Sequence, residues 1–101
     1  MASAKVVALT SDLMDRSKIS GAIPGVSFAL AHDADVVIVD LAKGVDQVTA
    51  VRATHPAARI IVYGPHVDDQ SMDTARAAGA DVVLSRSRFF RDPSASVLGE
   101  P

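Results

Sequence analysis

The sequence predicts an α/β domain: a doubly wound parallel sheet of four or five strands with helices on both faces. Residues 35–40, Asp-Val-Val-Ile-Val-Asp, hold four β-branched residues with no polar alternation. That is the pattern of a central strand buried on both faces. Short apolar runs recur at residues 5–10, 59–64 and 81–85, and two of the intervening stretches carry apolar residues at helical spacing. Strands alternating with helices select parallel strands joined by crossovers.

The elements follow in order. Residues 5–10, Lys-Val-Val-Ala-Leu-Thr, read as the first strand, and Ser11 and Asp12 as caps of the helix after it. Asp12 with Asp15 three residues on resembles a capping box with a shorter acid, and Leu13, Ile19 and Ala22 give the inward face before Pro24 and Gly25 stop it. Residues 26–31 stay open between two readings. Val-Ser-Phe suits a strand, which would lie at the edge beside the first strand, whereas Pro24 suits the first turn of a helix. The central strand leads through Lys43 and Gly44 to a helix with Val45, Val48 and Val51 on one face, ending before Pro56. Residues 59–64 form the next strand. A helix follows with Asp68, Asp69 and Asp73 near its positive end, Met72, Ala75 and Ala78 inward, and Gly79 closing it. Residues 81–85 are the last strand. The organisation is one domain over residues 1–92 and a polar tail over 93–101, in which Phe89-Phe90 is a packing pair just ahead of Pro93.

Composition narrows the function. At 101 residues there is room for one core, and 49% apolar with 22% charged residues is ordinary for a globular domain. A net charge of −2, 4% aromatics and no basic run argue against a nucleic-acid binder. The absence of cysteine excludes thiol catalysis, disulfides and Cys-ligated zinc. The apolar run at residues 6–9 is too short for an export or membrane segment, so a cytoplasmic protein is expected.

In open α/β sheets the carboxyl ends of central strands border the functional crevice. The residues predicted to line it are Thr10, Ser11, Asp12, Asp40, Lys43, Gly64, His66, Asp68, Ser85 and Arg86. Asp40 stands where the central strand emerges, as a candidate acceptor or as a cap. His66 reads as a titrating or ligating group or as a plain loop residue, and His32 and His55 as solvent-facing loop residues. Arg86 reads as an anion binder or, in preference, as the ion-pair partner of Asp40. Residues 10–15, Thr-Ser-Asp-Leu-Met-Asp, contain no glycine, so neither a dinucleotide nor a P-loop phosphate cradle follows the first strand.

Residues 35–40, 59–64 and 77–86 (Ala-Ala-Gly-Ala-Asp-Val-Val-Leu-Ser-Arg) resemble the third, fourth and fifth strands of the response-regulator receiver family, a flavodoxin-like fold of bacterial two-component signalling. The resemblance covers most of the chain and implies that Asp40 matches the family's phosphoacceptor. It also implies an acidic pair for magnesium, which is Thr10 and Ser11 here, with Asp12 and Asp40 as the remaining metal candidates. The family's hydroxyl residue is matched by Gly64, and its lysine by Arg86, which keeps the charge but not the shape. Residues 31–35 are too few for the family's helix between the second and third strands, since a parallel crossover needs about a dozen. That helix is expected to be missing or reduced, and the last one shortened. Two missing covers would leave apolar sheet exposed, which points to a protein partner or a homodimer.

The expectation is thus a degenerate, non-catalytic receiver-like module that interacts with proteins and needs no cofactor. A phosphorylatable receiver using magnesium is the first alternative. A small ligand-binding or catalytic protein using the same crevice is the second.

Overall fold

A computed structural model describes residues 4–64 and 69–98. Four parallel strands form one sheet in the order β1 (Val6–Leu9), β2 (Val36–Asp40), β3 (Arg59–Gly64), β4 (Val82–Ser85). The helices are α1 (Leu13–Ala22), α2 (Val45–Thr54), α3 (Asp69–Ala77), α4 (Arg86–Arg91) and α5 (Pro93–Leu98), with a 3-10 turn over Leu41–Lys43. All five residues of β2 are buried, as its unbroken β-branched run requires.

The open reading of residues 26–31 resolves toward the sheet edge. Ser27 makes a single parallel bridge to Val7, donating its N–H to the Val6 carbonyl at 3.0 Å and accepting from Ala8 N at 2.8 Å. The edge beside β1 is therefore occupied, but for one residue only. No helix intervenes between Ser27 and β2, as expected.

Two apolar layers sandwich the sheet. Val7, Val37, Val39, Ile60, Val62 and Val83 meet Val48 and Val51 of α2 and Ala75 of α3. On the other face Val6, Ala8, Ile38, Ile61 and Tyr63 meet Ile19 and Ile23 from α1 and the segment after it, and Phe89 of α4.

Several expectations change here. The sheet does not present an open apolar face among the described residues: every residue of β2 is buried, as are all but the first of β3 and all but the last of β1. Ala34 packs into the first layer, and the His55 ring, buried rather than solvent-facing, bonds through Nε2 to the Ala31 carbonyl at 2.8 Å. Asp35 accepts from Lys5 N at 2.8 Å. Leu13, expected inward, is 78% exposed, and Asp15 occupies the inward position one turn ahead of Ile19. The segment expected as a polar tail folds as α5. Ser94 Oγ donates to the Ala22 carbonyl at 2.9 Å, and the Ser96 carbonyl accepts from Arg59 Nε at 3.1 Å. Pro93 opens α5 and Asp92 separates it from α4, so the last helix is broken in two.

Candidate functional site

The carboxyl ends of β1, β2, β3 and β4 bring Thr10, Asp40, Gly64 and Ser85 to one edge of the sheet, and parallel register sets Asp40 beside Tyr63 and Gly64 beside Ser85. Asp40 is buried and its two oxygens are both engaged. Oδ1 accepts from Ala42 N at 3.0 Å and so caps the 3-10 turn, while Oδ2 accepts from the Thr10 hydroxyl at 3.1 Å. Asp12 caps α1, its Oδ1 accepting from Met14 N at 2.9 Å and Asp15 N at 3.0 Å. Asp15 does not return the bond of a capping box, because its side chain points into the protein. Ser11 is exposed between β1 and α1. Ser85 caps α4 by accepting from Arg88 N at 3.3 Å. Lys43 lies in the 3-10 turn, and His66 and Asp68 fall outside the described residues.

Arg86 does not pair with Asp40. Its guanidinium meets Asp15 end-on, with Nη1 at 2.7 Å from Oδ2 and Nη2 at 2.5 Å from Oδ1. The Tyr63 hydroxyl donates to the same Oδ2 at 3.0 Å. The guanidinium carbon also lies 5.2 Å from the centre of the Phe90 ring and 5.7 Å from that of Tyr63. Tyr63 in turn stacks on Phe89 at 4.8 Å between centroids, with the rings 4° from parallel. Asp15 is 0% exposed. A carboxylate so buried is tolerable only when its lone pairs are matched, and the planar fork with the phenol matches them.

The electrostatics follow from these contacts. The Arg86 hydrogen bonds hold the Asp15 carboxyl below the usual carboxylate range, outweighing the opposing effect of burial. Burial pushes the Tyr63 phenol up, with the charges of Asp40 and Asp15 adding to it. The bond to Asp15 raises the affinity of Arg86 for its proton further, so the pair is charged throughout the neutral range.

Asp15 and Tyr63 are the site residues that reading the chain for crevice positions missed. By local pattern Asp15 belongs to the capping box of α1 and Tyr63 to a strand. The available signal was spacing: Asp15, Ile19 and Ile23 recur every four residues, which places an acid on the buried stripe of α1.

The described donor set does not fit the magnesium that the resemblance implies. No group of three or more His, Asp or Glu side chains among the described residues is placed to hold a metal ion. Thr10 supplies a hydroxyl that donates to Asp40, and one oxygen of Asp12 is taken by α1. Hard cations of this kind take several oxygen ligands, and both oxygens of Asp40 and Oδ1 of Asp12 each already accept a protein hydrogen bond.

No family model matches the chain, and no curated protein does. Solved structures do match. The BeF3-activated receiver domain of DrrB, a Thermotoga maritima response regulator, superimposes with a TM-score of 0.82 at 20% identity over 97% of both chains. HP1043, an orphan response regulator of H. pylori, gives 0.78 at 16% identity over 96% of this chain and 95% of that one. TadZ, a CheY-like protein from Pseudomonas aeruginosa, gives 0.70 at 15% identity over 96% and 95%. Among the described residues no helix is long and apolar enough to cross a membrane. With four parallel strands in this order, a residual edge strand at Ser27 and helices on both faces, the chain has the receiver-like, flavodoxin-type fold.

Proposed function

We propose that the chain is a non-catalytic receiver-like signalling module, acting in the cytoplasm through contacts with a protein partner and without a phosphoryl group or metal. The observation that carries this reading is the state of Asp40. Its carboxylate is used as a cap on the 3-10 turn and as the acceptor of the Thr10 hydroxyl, at the positions where phosphoryl transfer would need a free nucleophilic oxygen and a bound cation. The ends of four strands still meet at this edge, with the Arg86 fork turned to Asp15.

An amide NMR titration with magnesium followed by beryllofluoride, a mimic of the phosphoryl group on aspartate, tests this. Silence at concentrations that saturate ordinary receivers is the expected result. Slow-exchange shifts around Asp40, Gly64 and Arg86 that vanish in Asp40→Asn would overturn it and establish a phosphorylatable receiver instead.

A further inference from the structure

Asp15 is a fully buried carboxylate that the capping and phosphoacceptor roles leave unused, and it takes up both terminal nitrogens of Arg86. Arg86 follows β4 directly and opens α4, and its guanidinium carbon lies 5.7 Å from the ring of Tyr63, the register neighbour of Asp40. Of the two carboxylates on this side of the sheet, Asp15 is the one that holds the guanidinium. Asp15 holds it by geometry: a bidentate fork, a third hydrogen bond from Tyr63 that fixes the carboxylate plane, and two aromatic rings beside the cation. Asp40, with its oxygens on Ala42 N and Thr10 Oγ1, offers no such cradle.

We propose that Asp15 is the positioning residue that decides what the crevice can bind: by keeping the Arg86 fork turned toward α1, it withholds from the crevice the cation an oxyanion would need. This deepens the reading of the crevice as one that takes no phosphoryl group, and it rests on that reading. A phosphate-bearing ligand entering beside Asp40 meets a carboxylate and hydroxyls there, while the guanidinium is satisfied elsewhere. Release of the fork turns the same crevice into an oxyanion site. Because α4 begins at Arg86, the two positions of the fork also differ in how the first turn of α4 is anchored.

The test uses the full chain and inorganic phosphate as probe, reading the Arg86 Nε–H resonance and the crevice amides by NMR. In wild type and in Asp40→Asn the fork stays on Asp15, and phosphate leaves both sets of signals unmoved. Asp15→Asn alone transfers the fork to Asp40, shifting the Arg86 resonance without phosphate. Asp15→Asn combined with Asp40→Asn frees the fork with no carboxylate to receive it, and phosphate binds at least 10-fold more tightly than to Asp40→Asn. Equal phosphate affinity in Asp40→Asn and the double variant overturns the proposal. The arms built on Asp40→Asn contain no phosphoacceptor, so their outcome is separate from that of the beryllofluoride titration. Should the double variant not fold, wild type alone decides. A held fork gives separate, slowly rotating Nη signals for Arg86, and a single averaged signal overturns the proposal.

Discussion

At the scale of the residue, stability near the crevice turns on Asp15. Arg86→Ala leaves that carboxylate buried beside Tyr63 with no counter-charge, which costs about 2–4 kcal/mol, the usual cost of breaking a buried pair moderated by the partial exposure of Arg86. Urea unfolding at neutral pH measures it, and an unchanged midpoint would show that the pair contributes nothing. The pair also sets an acid limit. The folded state lowers the pKa of Asp15 below its unfolded value of about 4, so the unfolded chain binds the proton first. The contribution is complete above about pH 4 and fades as pH falls through the folded value. Asp15→Asn should therefore be less stable than wild type at pH 7 and lose less stability on acidification. Urea midpoints between pH 2 and 7 that run parallel for the two proteins would contradict this.

The sign is opposite for Tyr63. Its raised pKa contributes stability present below about pH 10 and lost above it as the unfolded phenol ionises.

At the scale of the element, the end of the sheet away from the crevice is tied by one side chain. Arg52 of α2 donates to the carbonyls of His55, Pro56, Ala58 and Gly79 and to Asp81, joining the turn before β3 to the turn before β4. Gly79 makes the close approach possible. At φ +121° it sits where L side chains rarely go, and an added Cβ would lie 2.8 Å from Cβ and Cγ of Arg52. Gly79→Ala should cost about 2–3 kcal/mol through strain and displacement of this clamp. The thermal midpoint reads it; a neutral substitution would mean that Arg52 moves aside freely. Gly79 was legible as a helix stop from its place after a run of inward alanines. Its packing against Arg52 was not, because the two lie 27 positions apart.

The C-terminal helices show the same division. Pro93 and the serines after it have the composition of a tail, and only the docking of α5 against α1 and β3 makes them a helix. Ending the chain at Asp92 removes both hydrogen bonds and the buried faces of Pro93 and Ser96, and should lower stability by about 2–3 kcal/mol. Equal stability of the full and shortened chains, by chemical denaturation, would return residues 93–101 to the status of a tail.

At the scale of the whole molecule, the chain by itself determined the sheet. Unbroken β-branched runs can be buried on both faces only as central parallel strands, and β2 and β3 fall where those runs are, with β3 at the same residues. Spacing alone also excluded a helix between the Ser27 edge and β2, since too few residues are present to cross. Tertiary structure decided three things that no local pattern holds. It seated Ala34 in the first apolar layer and tied the Ala31 carbonyl to the buried His55 ring, 24 positions away, on the stretch that has no helix. It gave Asp40 to Thr10 and the 3-10 turn. It gave Arg86 to Asp15 rather than to Asp40, across 71 positions of sequence. Ion-pair choice depends on which carboxylate is desolvated and cradled, and that is a property of the assembled core: the stacked Tyr63 and Phe89, the inward stripe of α1 and the start of α4 meet there and nowhere in the linear chain.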